Sequence, residues 1–140
     1  MHVALAKKRF ERDVAILTET YLRARKWLCH TKEFPTLDVT FLGDSPLRLR
    51  LTGQQWDEEP PSIELLDEDG APYSGSIPGG PFNPGPHEKT GKPFICHQGA
   101  YEYHTHPSHL GDQWASYKGK DGWNLLGILD QLCTYWRRRR

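Results

Sequence analysis

Four of the seven histidines and one of the three cysteines fall in one stretch, Cys96-His97-Gln98-Gly99-Ala100-Tyr101-Glu102-Tyr103-His104-Thr105-His106-Pro107-Ser108-His109. Read as a strand, Glu102, His104 and His106 share a parity and point to one face, while Tyr101, Tyr103 and Thr105 point to the other. A three-residue loop, Gln98 to Ala100, would set Cys96 opposite Glu102 on the histidine face. Thiolate, imidazole and carboxylate around one point suit zinc best. Same-face neighbours on a strand lie about 6.6 Å apart, so His104 and His106 can share an ion with Cys96. Glu102 lies about twice that distance from His106. It is either the fourth ligand, if the strand bulges at Pro107, or the group that holds an imidazole N–H or a metal-bound water. His109 is the reserve ligand, and His97 reads as a loop residue. Cys96 and Glu102 are also the candidate catalytic groups: Cys96 as a nucleophile beside His104 or His97, Glu102 as a general base beside a metal-bound water.

The elements that must position this cluster are legible in outline. Phe10, Val14, Leu17, Tyr21 and Leu28 recur at helical spacing, which predicts one amphipathic helix from about Ala4 to Leu28, stopped before Pro35. The period then changes to two. Leu37, Val39 and Phe41 form one strand, Leu47, Leu49 and Leu51 a second across the Gly43-Asp44 turn, and Ser62 to Leu66 a third. Residues 71 to 93 hold six prolines and five glycines and form a flap without regular structure. Phe94 to Cys96 and Tyr101 to His104 are predicted to pair as a short hairpin. Leu125, Ile128, Leu129, Leu132 and Trp136 give a closing helix from about Trp123. The predicted fold is α+β: one domain over residues 1–140, helices at the two ends of an antiparallel meander, with a basic tail at 137–140.

Composition narrows the classes. Eighteen basic residues balance eighteen acidic ones, so the chain is not a general polyanion binder and nucleic acid is not the expected partner. No apolar run approaches the roughly 18 residues of a membrane helix, and the start of the chain reads as cytoplasmic rather than as a signal peptide. Cys29 and Cys133 read as small buried apolar residues. The seven acidic residues between Asp57 and Asp69 and the four terminal arginines read as solvated charge. Trp114, Tyr117 and Trp123 flank the cluster, as core or as a recognition surface. There is no phosphate-binding glycine loop and no Gly-x-Ser-x-Gly elbow.

Two resemblances follow from these residues. Cys96, Glu102, His104 and His106 resemble the Cys-Glu-His-His signature of a predicted metal-binding family, over roughly residues 90 to 130. That family is associated with prokaryotic ubiquitin-like conjugation systems. Separately, a helix, a meander, a Pro-rich flap, a His-Pro dipeptide and a Trp-led helix are similar to the ubiquitin-conjugating enzyme (UBC-like) fold. In that pattern a His-Pro-Asn stretch precedes the catalytic cysteine. Here Pro93 opens the strand, His106-Pro107-Ser108 stands for His-Pro-Asn, and Trp123 leads the helix. Ser108 replaces the asparagine, and Ala115-Ser116 stand where the cysteine would follow. The resemblances imply a zinc-binding, UBC-like accessory protein of a bacterial ubiquitin-like modification system. It would lack the usual catalytic cysteine, act without catalysis itself, and bind a protein of that pathway. The alternatives are a zinc-dependent isopeptidase with Glu102 as base, and a thioester carrier using Cys96.

Overall fold

A computed structural model describes residues 1–139; the last residue of the predicted basic tail, Arg140, lies outside the described residues. Helix α1 spans Val3–Val14 and buries Ala6, Phe10, Asp13 and Val14, while its first turn is capped by the His2 ring, which accepts the Ala4 N–H. The predicted long helix is in fact two. Thr18, extended at φ −79°, accepts the Tyr21 N–H and starts α2, Glu19–Arg25, which ends on Lys26 in the left-handed conformation at φ 57°. Leu17 is buried with Val14, so the apolar stripe is continuous in space although the helix is not.

Beyond Lys26 the chain becomes strand β1, Trp27–Glu33, so the meander has four strands rather than three. Strands β2 (Thr36–Phe41), β3 (Leu47–Thr52) and β4 (Ser62–Leu66) occupy the predicted positions, in the order β1-β2-β3-β4, all antiparallel. The register pairs Leu37 with Leu51, Val39 with Leu49 and Phe41 with Leu47. Leu49 then pairs with Leu65, and Leu51 with Ile63, so one face is uniformly apolar and buried. The opposite face carries Asp38, only 3% exposed, clamped by Arg48 (2.8 and 2.9 Å) and Arg50 (3.2 Å). Burial raises the Asp38 carboxyl pKa, and the two guanidiniums more than offset this, leaving it below the usual range.

The closing helix α4, Leu125–Arg139, lays Leu125, Leu126, Ile128, Leu129, Leu132, Cys133 and Trp136 into the core; each large side chain contributes about 1.5–3 kcal/mol by leaving water. Residues 137–139 of the predicted tail continue this helix, and Arg137 donates to the carbonyls of Lys26 and Leu42 (3.2 and 3.3 Å), satisfying backbone oxygens beside β1. The start of α4 is tied to α1 by Asp13. Its Oδ2 accepts both the Trp56 indole N–H (2.9 Å) and the Leu125 backbone N–H (3.2 Å) inside the protein. Asp13→Ala orphans two buried donors. We expect a loss of about 3 kcal/mol of stability, read as a lower urea midpoint at unchanged slope.

The predicted hairpin is absent. Phe94–Ile95 (β6) pairs instead with Phe82–Asn83 (β5), a two-residue strand inside the flap, and residues Tyr101–His104 form a single helical turn, α3. Gly99 explains the change. Its φ of +94° turns the chain sharply, and a Cβ there would lie 3.0 Å from the Ile128 side chain, so the segment closes onto α4 instead of returning along β6. On the helical turn Glu102 and Tyr103, adjacent in sequence, are both buried, Glu102 toward β4 and Tyr103 toward Asp112.

Candidate functional site: a cysteine, a histidine and an asparagine

The replacement of a strand by α3 redistributes the predicted cluster. Glu102 turns toward β4, 6% exposed, and its two oxygens accept the Ser62 hydroxyl (2.6 Å) and the Ile63 backbone N–H (2.9 Å). It closes the open edge of the sheet. His104 spends both ring nitrogens on backbone: Nδ1 faces the Asp112 carbonyl (2.7 Å) and Nε2 accepts the Gly99 N–H (3.0 Å). A carbonyl can only accept and an N–H only donate, so Nδ1 carries the proton and the ring is neutral. His106 caps the following 3₁₀ turn, Pro107–His109, accepting the Ser108 N–H at Nδ1, and stacks on Phe94 (5.8 Å, 12°). Cys96, Glu102, His104 and His106 therefore do not converge on one ion. Among the described residues, no group of three or more His, Cys, Asp or Glu is arranged to hold a metal.

Burial lowers the pKa of His104, and that of His97 beside it. Each takes up a proton more readily when unfolded, near the ordinary imidazole value, than when folded. Their contribution to stability is therefore complete above that value and is lost as pH falls through it toward the folded pKa. The melting temperature should drop between about pH 7.5 and 5.5, and drop less in His104→Gln, whose amide can replace the ring's acceptor without titrating.

Cys96 finds a different partner, the reserve residue His109, whose Nε2 lies 3.5 Å from Sγ. The His109 ring is 5.8 Å from that of His106, and it is stacked on Tyr103 at 4.2 Å and 21°. The third member was not foreseen. Asn83 of β5 lies beside the Cys96 side chain, close enough to favour its thiolate. Its Oδ1 accepts the Gly85 N–H (2.8 Å), so the orientation of the amide is fixed and its NH₂ remains for the sulfur. The short β5–β6 pairing and the bond from the Cys96 N–H to the Pro81 carbonyl (2.6 Å) hold the two residues together. Burial raises the Cys96 thiol pKa and Asn83 only partly offsets that, so the resting state is a neutral thiol against an imidazole. The signal for Asn83 was the Asn83-Pro84 dipeptide, a turn former that can orient its own amide.

The neighbours divide. Trp114 is core, donating to the Asp57 carbonyl (2.8 Å), whereas Tyr117 and Trp123 (4.7 Å apart) are half-buried beside His97, which stacks on Trp123 (6.2 Å). Cys133 is buried and accepts the Trp27 indole N–H (3.3 Å); Cys29 is half-buried on β1. Two of the acidic residues are paired, Asp57 with Arg9 (2.7 Å) and Glu58 with Lys118 (3.0 Å). No helix of the described residues is long and apolar enough to cross a membrane.

Among known proteins, the chain is 41% identical over 44 residues to y4jH, an uncharacterized protein of Sinorhizobium fredii (strain NBRC 101917 / NGR234). The alignment covers 31% of this chain and 22% of that protein, so the chain matches about a fifth of its relative's length. The profile of the Y4jH family (Y4jH-like) matches residues 86–138, a stretch that contains Cys96, α3, His109 and most of α4, and it is in this segment that the chain is similar to that family.

Proposed function

We propose that the chain is a UBC-like domain that carries a ubiquitin-like protein as a thioester on Cys96. The observation that carries this reading is the convergence of Asn83, Cys96 and His109. The UBC-like pattern pairs an asparagine with a following cysteine. His106-Pro107-Ser108 lacks that asparagine, whereas Pro81-Phe82-Asn83 supplies one already aimed at a thiol. The helix, four-stranded meander, Pro-rich flap and closing helix support the same fold.

The chemistry is a thioester exchange. The Cys96 thiol passes its proton to His109 Nε2, and the thiolate attacks the carbonyl carbon of an incoming C-terminal thioester. A new C–S bond forms, the old one breaks, and the departing thiolate takes the proton back from His109. Negative charge develops on the carbonyl oxygen, and the Asn83 NH₂ is the donor placed to receive it. Incubation with a ubiquitin-like protein ending in a glycine thioester should give an adduct reversed by dithiothreitol and absent in Cys96→Ala. An adduct that survives in Cys96→Ala, or none in the wild type, contradicts the assignment.

A second reading has one observation in its favour: sulfur and imidazole 3.5 Å apart are also two ligands of a zinc ion. Cys96 and His109 would hold it, with His106, its ring 5.8 Å from that of His109, as a further imidazole, in an accessory module of the same pathway. Near-stoichiometric zinc in the purified protein, lost in both Cys96→Ala and His109→Ala but kept in His104→Ala, would favour it. A hydrolase using Glu102 finds no support in a carboxylate already occupied by Ser62 and Ile63.

A further inference from the structure

We propose that Tyr103 and Asp112 are positioning residues that hold the His109 imidazole against the Cys96 thiol. This rests on the reading of Cys96 and His109 as a reacting pair, and it explains a carboxylate that the pair itself does not use. His109 stands on a three-residue 3₁₀ turn, too short to fix a side chain by itself, and its backbone N–H is held by the His106 carbonyl (2.9 Å). Its ring is held by the face of Tyr103, which is 7% exposed and nearly parallel to it. A phenylalanine would pack equally well there, so the hydroxyl needs a reason. It donates to Asp112 Oδ2, which also accepts the Gln98 amide (3.1 Å), while Asp112 Oδ1 accepts the Tyr117 hydroxyl (2.6 Å).

Asp112 thus ties together three loops: the turn after Cys96 through Gln98, the single turn α3 through Tyr103, and the loop before α4 through Tyr117. Its backbone carbonyl takes His104 Nδ1 as well. Asp112 makes no hydrogen bond to Cys96, and it meets His109 through the backbone alone, its N–H donating to the His109 carbonyl (3.0 Å). Its effect passes through the Tyr103 ring, which cannot rotate or slide without breaking the hydroxyl bond. Charged-acceptor bonds of this kind are roughly twice as strong as neutral ones, enough to hold an aromatic face in register. The phenols in turn keep the Asp112 pKa below the usual carboxylate range, and burial together with Asp112 raises that of Tyr103, so the donor–acceptor sense of the tether is fixed.

The test is the rate of iodoacetamide labelling of each of the three cysteines, resolved by peptide mass spectrometry at one near-neutral pH. His109→Ala should slow Cys96 about tenfold, and Tyr103→Leu and Asp112→Ala about fivefold, with Cys29 and Cys133 unchanged. Asp112→Asn, which keeps a carbonyl acceptor, should recover most of the rate, whereas Tyr103→Phe, which keeps the ring but loses the hydroxyl bond, should be slowed like Asp112→Ala. A merely structural role predicts the opposite sign: loosened loops expose thiols, and all three cysteines react faster. That result, or wild-type Cys96 reactivity in both Tyr103→Leu and Asp112→Ala while His109→Ala is slow, overturns the positioning role and leaves the pair intact. Wild-type reactivity in His109→Ala removes the pair itself, and the positioning role with it.

Discussion

Asn83→Ala should lower the rate of acyl transfer to Cys96 by about 10²-fold while leaving the fold in place, the magnitude expected for loss of one preorganised oxyanion donor. The side chain makes one hydrogen bond to its own turn, at Gly85, and otherwise lies beside the cysteine, so its removal costs little stability. Asn83→Asp keeps the turn bond but offers a carboxylate instead of an NH₂, and should be at least as slow because it repels the developing charge. Single-turnover transfer from a ubiquitin-like thioester reads both. A rate within threefold of wild type in Asn83→Ala would mean that the amide serves only the flap. Alkylation of Cys96 by iodoacetamide passes through no oxyanion and should be nearly indifferent to the change.

Glu102→Ala should cost about 3 kcal/mol of stability, because it leaves the buried Ile63 N–H and the Ser62 hydroxyl without an acceptor at the sheet edge. Glu102→Gln retains a carbonyl for the Ile63 N–H, and its NH₂ can donate to the Ser62 oxygen, so about 1 kcal/mol is expected. Denaturant titration gives both values. The pair of substitutions also separates structure from chemistry. A general base would lose its function in the glutamine variant with little change in stability. A sheet-edge acceptor keeps the protein folded and its acyl transfer within about threefold of wild type.

The strands around Leu37–Phe41, Leu47–Leu51 and Ser62–Leu66 were legible because one side of each is apolar at period two. The closing helix was legible because Leu125 to Trp136 repeat at helical spacing. Strand β1 was not. As an edge strand it buries Trp27 but leaves Leu28, His30, Lys32 and Glu33 at least partly in water, so neither period stands out, and Tyr21 and Leu28 extended the helical pattern across it. At the basic end Arg137 and Arg138 are exposed, as solvated charge should be, but the run of charge hid that they continue α4, from which Arg137 caps backbone carbonyls.

The residue types of the site were visible and their grouping was not. Glu102, His104 and His106 share a parity only on a strand, and Gly99 against Ile128 makes the segment a helical turn instead. On that turn Glu102 and His104 face different partners, and both become backbone acceptors or donors. Cys96 and His109 were each singled out, but their meeting depends on the 3₁₀ turn after Pro107. Asn83 lay in a flap read as irregular, and a two-residue pairing such as β5–β6 leaves no periodic trace. Fold patterning alone pointed to His106-Pro107-Ser108, where the dipeptide matched and the chemistry did not.

The most direct measurement is intact-mass and peptide analysis of the protein after exposure to a ubiquitin-like glycine thioester, with chelator in one sample and excess zinc in the other. A reacting Cys96 predicts one acyl group, mapped to Cys96, formed fully in the chelator, suppressed where zinc occupies the sulfur, and missing in Cys96→Ala. No acylation of Cys96 in the metal-free protein would contradict the account.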